Sequence, residues 1–266
     1  MEDIKKVFDY CRSTTWKDDA PDEVIWEQAK LAVDNMLCEK KYTKAKRVYR
    51  LAGQSGSGKT TQLLPTLAGL EELRSNTPLV IAVRNFVKYH PKYEEIIATC
   101  EKGEIREKTN GFALKCLCAA FKQVMTMGYL TILDVTVLDP RFEEFINKQI
   151  QDNEYVAQYH ILAVSKSLSD WFIDKRKNDS GSAETGKIVK QESKDYFYDI
   201  LPIGIDYLGN VDSESVAFVW SAYEMEPIYR GSLCGAVDAI NVWRKQVGVV
   251  PDELELRQAK LRYMVG

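Results

Sequence analysis

The sequence predicts an α/β fold, a parallel sheet covered by helices on both faces. Three observations point there. A glycine-rich turn, Gly53-Gln54-Ser55-Gly56-Ser57-Gly58-Lys59-Thr60, stands between a strand-like segment, Arg47 to Ala52, and a leucine-rich helical pattern from Thr61 to Leu73. Other apolar runs, such as Pro78 to Val83, are nearly continuous, as strands buried on both faces are. Segments of helical length separate these runs, and strands that alternate with helices pair in parallel. Strand, glycine turn and helix in that order specify the P-loop arrangement of NTPases and kinases.

Composition allows such a core and narrows the function. Of 266 residues, 45% are hydrophobic, enough for one large domain or a domain with appendages. The formal net charge of −3 and pI near 5.7 leave no basic bias to draw phosphate backbones, so nucleic acid is not expected as a partner. No apolar run reaches the length of a membrane span, and Met1-Glu2-Asp3-Ile4-Lys5-Lys6 lacks the apolar stretch of a secretion signal. A cytoplasmic location without membrane contact is the expectation. The six cysteines (Cys11, Cys38, Cys100, Cys116, Cys118 and Cys234) show no metal-ligand spacing and read as reduced thiols. Two histidines, His90 and His160, are too few for a catalytic zinc site.

Taken in order, residues 1–45 read as helices. Val24, Ile25, Ala29, Leu31, Ala32 and Met36 supply an apolar stripe, and Pro21-Asp22-Glu23 resembles a helix start. These helices pack on the core or meet a partner. After the turn, Leu63, Leu64, Leu67, Leu70 and Leu73 recur at helical spacing. The strand at Pro78 to Val83 is followed by Arg84 to His90, with Pro91 placed to open a helix. Ala113 to Met127 reads as a long amphipathic helix. A third strand lies within Gly128 to Thr136 and carries Asp134 near its end. A fourth runs from Tyr159 to Val164, and a helix follows from Ser167 to about Lys177. The polar Gly/Ser-rich stretch from Lys177 to Lys187 is a mobile loop, either a lid or a solvated linker. Ser215 to Ser221 is a fifth strand; Cys234 to Gln246 and Asp252 to Met264 are terminal helices. The domain reading is a helical extension at 1–45, a core at 46–222 with a lid near 177–190, and a second helical extension at 223–266.

The turn has the residue types that a nucleoside triphosphate requires. Gly53, Gly56 and Gly58 admit positive φ and bring N–H groups toward phosphate oxygens. A helix starting near Gly58 points its positive end at the same anion, and Gln54, Ser55, Ser57 and Thr61 complete the cradle. Lys59 can reach the β/γ-phosphates, while the Thr60 hydroxyl and the Asp134 carboxylate can ligate Mg²⁺. ATP or GTP with Mg²⁺ is the cofactor set that follows. Acceptors bind over the carboxyl ends of strands in open α/β sheets, which places Arg84, Asp134 and Thr136 beside the acceptor. A lid bracketed by Arg176 and Lys187 would close cations over the phosphates.

On these residues, and on Tyr89-His90-Pro91, Gly128 to Thr136 and Ala163-Val164-Ser165-Lys166, the sequence resembles the zeta toxin family of P-loop kinases over about residues 45–200. The stretch from Phe86 to Pro91 makes the likeness more specific than the turn alone. The resemblance implies a kinase acting on a hydroxyl of a small molecule. Typical members resemble UDP-N-acetylglucosamine kinases, and relatives act on other nucleotides such as NAD. It also implies a small helical antitoxin that obstructs the nucleotide site. Arg176 falls where the family carries a phosphate-binding arginine, which makes it catalytic alongside Lys59 and Asp134.

Departures from the family pattern carry information. The family has an aspartate six residues before the His of His-Pro, serving as general base on the acceptor hydroxyl; here that position is Arg84. Arginine stays protonated and cannot take that proton. The family's glutamate on the third strand becomes Asp134, and its second lid arginine becomes Lys187. Three readings remain open at this point. Another carboxylate serves the hydroxyl, Asp134 before Glu94 or Glu95; or Arg84 binds an anionic group of an unusual substrate; or the chain binds nucleotide as a pseudokinase. His90 reads as a structural residue bracing the helix after Pro91.

Overall fold

The computed structural model describes residues 2–13, 20–136, 139–178, 191–221 and 227–246. Six strands form one sheet: β1 (Arg47–Ala52), β2 (Leu79–Ala82), β3 (Thr131–Asp134), β4 (Val156–Ala163), β5 (Val216–Ser221) and β6 (Pro227–Ser232), in the order β2-β3-β1-β4-β5-β6. The first five are parallel and β6 runs antiparallel to β5. The sheet is therefore mixed rather than wholly parallel. The reason lies in the short connection between β5 and β6: a parallel return needs a crossover of a dozen residues or more.

The helices are α1 (Glu2–Ser13), α2 (Asp22–Glu39), α3 (Leu64–Ala68), α4 (Glu71–Arg74), α5 (Tyr93–Thr99), α6 (Lys102–Met127), α7 (Pro140–Asp152), α8 (Lys166–Asn178), α9 (Gln191–Val211) and α10 (Leu233–Gln246). They cover both faces, and the strands sort their side chains accordingly. Successive residues of a strand point to opposite faces. On β1, Val48 and Ala52 join the larger core cluster with α1, α2, α6, α7, α9 and α10 residues, while Tyr49 and Leu51 join a smaller one with Leu63, Leu67, Leu73 and Leu168. The four apolar residues of this hexapeptide thus serve two cores, and Arg50, between Val48 and Ala52 on one face, is buried through its ion pair with Glu143.

Several elements differ from the sequence expectations. The helix from Thr61 to Leu73 is broken: Lys59–Leu63 is a wide π-type turn, α3 follows, and α4 starts again after Gly69 and Leu70. Pro65, at the start of α3, has no N–H for the carbonyl four residues back, and the widened turn accommodates it. The expected amphipathic helix at Ala113 to Met127 begins at Lys102 and is not amphipathic. Every residue from Gly111 to Phe121 is buried, because α1, α2 and α7 enclose it. A helix apolar on all sides belongs in the interior. It stops at Gly128, whose φ of 75° is the left-handed conformation that ends a helix. In α2, Ile25, Ala29, Ala32 and Val33 face the core, whereas Leu31 is exposed. The expected lid at Lys177 to Lys187 and the terminal helix at Asp252 to Met264 fall almost wholly outside the described residues.

Candidate active site

The parallel register brings three strand ends level. Asp134 on β3 pairs with Leu51 on β1 and with Ala82 on β2. Directly beyond these ends lie the glycine turn, Thr136, and the 3₁₀ turn Val83–Asn85 that carries Arg84. Residues 31 to 83 positions apart in the chain therefore meet at one edge of the sheet.

The turn has the backbone its composition requires. Gly53, Gly56 and Gly58 have φ of 150°, 81° and 98°. Space is as restrictive as conformation: a Cβ on Gly56 would lie 2.5 Å from the Ser169 carbonyl oxygen of α8. Ser169 Oγ donates to the Ser55 carbonyl, so α8 braces the turn from outside. Lys59 folds its ammonium over the loop and donates to the carbonyls of Gly53 and Gln54 (3.2 Å for the latter) and to Thr136 Oγ1 at 3.3 Å. Thr136 Oγ1 in turn donates to the Gly53 carbonyl at 3.2 Å. Ser57 Oγ is buried with no partner among the described residues, the kind of atom a phosphate oxygen satisfies.

Thr60 Oγ1 donates to Asp134 Oδ2 at 3.1 Å. A hydroxyl and a carboxylate are the hard oxygen donors that suit Mg²⁺, which draws its other ligands from phosphates and water. The donor set fits the ion in kind. Arg84, however, reaches the same atoms: its Nη1 donates to Asp134 Oδ2 at 2.7 Å and to Thr60 Oγ1 at 3.3 Å. Among the described residues no group of three or more His, Cys, Asp or Glu side chains could hold a metal.

The structure therefore gathers Lys59, Thr60, Arg84, Asp134 and Thr136. Glu94 and Glu95 lie exposed on α5. His90 braces the helix it precedes: its Nδ1 accepts from the Lys92 N–H at 3.1 Å and its ring packs edge-on against Phe112. Lys187, and the side chains of Thr61 and Arg176, are outside the described residues. One contact has no signal in the sequence. Arg244 of α10, 190 residues from Gln54, donates through Nη2 to Gln54 Oε1 at 2.7 Å and through Nη1 to the Tyr198 carbonyl at 2.9 Å. Gln54 Nε2 also donates to the Val164 carbonyl at 2.8 Å, so this second residue of the turn is fixed both by the residue after β4 and by α10.

The model of the zeta toxin family matches residues 33–216, more than half of the chain. The chain belongs to the zeta toxin family. Membership makes it a phosphotransferase of the P-loop kinase-like kind. No curated protein sequence matches it. Among solved structures, this zeta toxin family chain is similar to one from the PezAT chromosomal toxin–antitoxin system of Streptococcus pneumoniae. The TM-score is 0.68 at 18% identity, over 92% of this chain and 97% of that one. It is also similar to a chain of the native AvrRxo1-ORF1:-ORF2 complex, with a TM-score of 0.52 at 10% identity, over 98% of this chain and 83% of that one. At such identities the likeness shows a shared fold. Among the described residues no helix is long and apolar enough to cross a membrane.

Proposed function

We propose that this zeta toxin family member is a small-molecule kinase that transfers the γ-phosphate of ATP or GTP to a hydroxyl of a nucleotide sugar or a related metabolite. The observation that carries the reading is the meeting of Lys59, Thr60 and Asp134 at a glycine turn with positive-φ backbone. Gly53 to Thr61 would hold the phosphates, with Lys59 as their point charge. Thr60 and Asp134 would hold Mg²⁺ during transfer, once Arg84 leaves the carboxylate, and the ion when bound would neutralise charge on the β- and γ-oxygens. The acceptor would lie against Arg84, Asp134 and Thr136. Arg176 and Lys187 would close over it, a role that rests on the family resemblance alone. Residues 46–222 would form the catalytic unit.

A small helical antitoxin is the proposed partner, since a structural relative comes from a toxin–antitoxin system. None of the six cysteines forms a disulfide among the described residues, in keeping with a reducing cytoplasm. One observation favours a second reading, a nucleotide-binding pseudokinase. The position of the family's general base carries a cation, and that cation occupies the Asp134 carboxylate that would otherwise be the best substitute base.

The experiment is phosphate transfer from γ-labelled ATP and GTP, with Mg²⁺, across a panel of nucleotide sugars, dinucleotides and small alcohols. A labelled product that disappears in Lys59→Ala establishes the kinase and its acceptor class. Nucleotide binding without transfer to any acceptor moves the assignment to the pseudokinase. Undiminished transfer by Lys59→Ala refutes the P-loop site.

A further inference from the structure

The place given to Arg84 beside the acceptor does not account for its contacts with the metal-ligand oxygens, and the inference drawn from them rests on the kinase reading above. A single nitrogen, Arg84 Nη1, meets Asp134 Oδ2 at 2.7 Å and Thr60 Oγ1 at 3.3 Å, the two oxygens that the site would offer a divalent cation. The carboxylate is interior, with its side chain 4% exposed, while the guanidinium is 39% exposed and reaches it from the open side of the site. The backbone that carries it is fixed. Arg84 is the middle residue of the turn Val83–Asn85, whose geometry is fixed by the Asn85 side chain accepting from the Ala82 N–H at 2.8 Å. Ala82 is itself registered against Asp134.

Charge completes the argument. A lone carboxylate facing a triphosphate is repelled unless a cation lies between them, and P-loop kinases recruit a dication for that purpose. Here the cation is covalently attached to the chain. Only Nη1 makes the two contacts; Nη2 and Nε belong to the same fork, which suits phosphate oxygens bidentately. A dication entering the site would have to displace this guanidinium from Asp134 and then sit beside it.

We propose that Arg84 is the built-in cation of the phosphate site, standing in for a divalent metal ion between Thr60 and Asp134, so that the protein binds nucleoside triphosphates without one.

The test is titration of a fluorescent ATP analogue into the full chain, in EDTA and in excess Mg²⁺. It is run for the wild type, Arg84→Met, which keeps the apolar stem, Arg84→Lys, which keeps the charge, and Lys59→Ala. The wild type should bind in EDTA within about threefold of its affinity in Mg²⁺, whereas Arg84→Met should lose about tenfold or more in EDTA, the scale of one charge-assisted hydrogen bond. That loss should be restored by Mg²⁺, and Arg84→Lys should retain most metal-free binding. A wild-type affinity about tenfold or more weaker in EDTA, with the same ratio in Arg84→Met, overturns the inference and leaves the P-loop reading standing. Absence of binding by the wild type in both buffers overturns both.

Discussion

Replacing Glu143 by Gln should cost this protein a large share of its stability without touching the nucleotide site. Glu143 on α7 accepts from Arg50 Nη2 at 2.8 Å, and the two side chains are 0% and 1% exposed. Arg50 lies on β1, three residues before Gly53, and its ring neighbour is Tyr159 on β4, at 5.5 Å. Burial pulls the guanidinium toward its neutral form, and the charge and hydrogen bond of Glu143, together with Tyr159, more than offset that, so its pKa is raised. At 2.8 Å and an effective dielectric of about 20 the attraction amounts to roughly 6 kcal/mol. Breaking a buried pair from one side strands the other charge, at a cost of about 3–5 kcal/mol. With about 2–4 °C lost per kcal/mol for a domain of this size, the melting temperature should fall by about 6–20 °C. Arg50 also has Nε and Nη1 without partners among the described residues, so much of its desolvation is unrepaid. The double replacement Arg50→Met with Glu143→Leu should therefore recover most of the loss. Urea unfolding of the wild type, both singles and the double completes the cycle. A Glu143→Gln loss below about 1 kcal/mol, or a double variant as poor as the two singles summed, would refute the reasoning.

Two further outcomes follow from buried groups elsewhere. Burial pushes the His160 pKa down to about 3; the ring stacks on Phe218 at 4.9 Å and accepts from Trp220 Nε1 at 3.1 Å. The unfolded chain takes up this proton near pH 6.5 and the folded one near 3, so the histidine does not alter stability above 6.5. As pH falls through that window it lowers stability by up to about 1.4 kcal/mol per unit. His160→Gln should flatten that part of the stability–pH curve, and unchanged slopes in urea unfolding at stepped pH would dismiss the role. Arg244, whose pKa burial pushes down to about 10, clamps Gln54 from α10. Arg244→Met should lower stability by about 1.5–3 kcal/mol, the scale of a hydrogen bond to a charged group, and weaken nucleotide binding as well. Unchanged affinity in a destabilised variant would show that α10 supports the fold but not the turn.

The sheet was legible where a strand's own residues decide its environment. Leu79 to Ala82, and Ile132 and Leu133 within Thr131 to Asp134, are apolar because both faces of these strands are covered, and that pattern is local. What the sequence concealed was decided from outside. Phe112 to Phe121 contains Lys115 and two cysteines, yet all ten residues are buried, because helices far away in sequence close around them. Helix α9 holds Pro202 in its interior, and α7 buries Glu143 and Asn147; each of these residues masks a helical pattern when read alone. Strand β6, with burial no deeper than intermediate, has no apolar signature at all and exists by pairing with β5.

The site divides along the same line. Gly53, Gly58, Lys59 and Thr60 were readable because phosphate binding fixes their types at fixed spacing, a constraint carried by eight consecutive residues. Arg84 was readable only as an anomaly, a cation where a base was due. Its meaning depends on register: Ala82 lies opposite Asp134, so an arginine two positions on reaches that carboxylate. This couples two of the three departures that the family resemblance implies, Arg84 and Asp134. A carboxylate at position 84 would face Asp134 with like charge, and both could ionise only with a cation between them. An arginine there removes the base and the need for that cation together. The loss of general-base chemistry and the gain of a resident cation are thus one substitution seen from two sides.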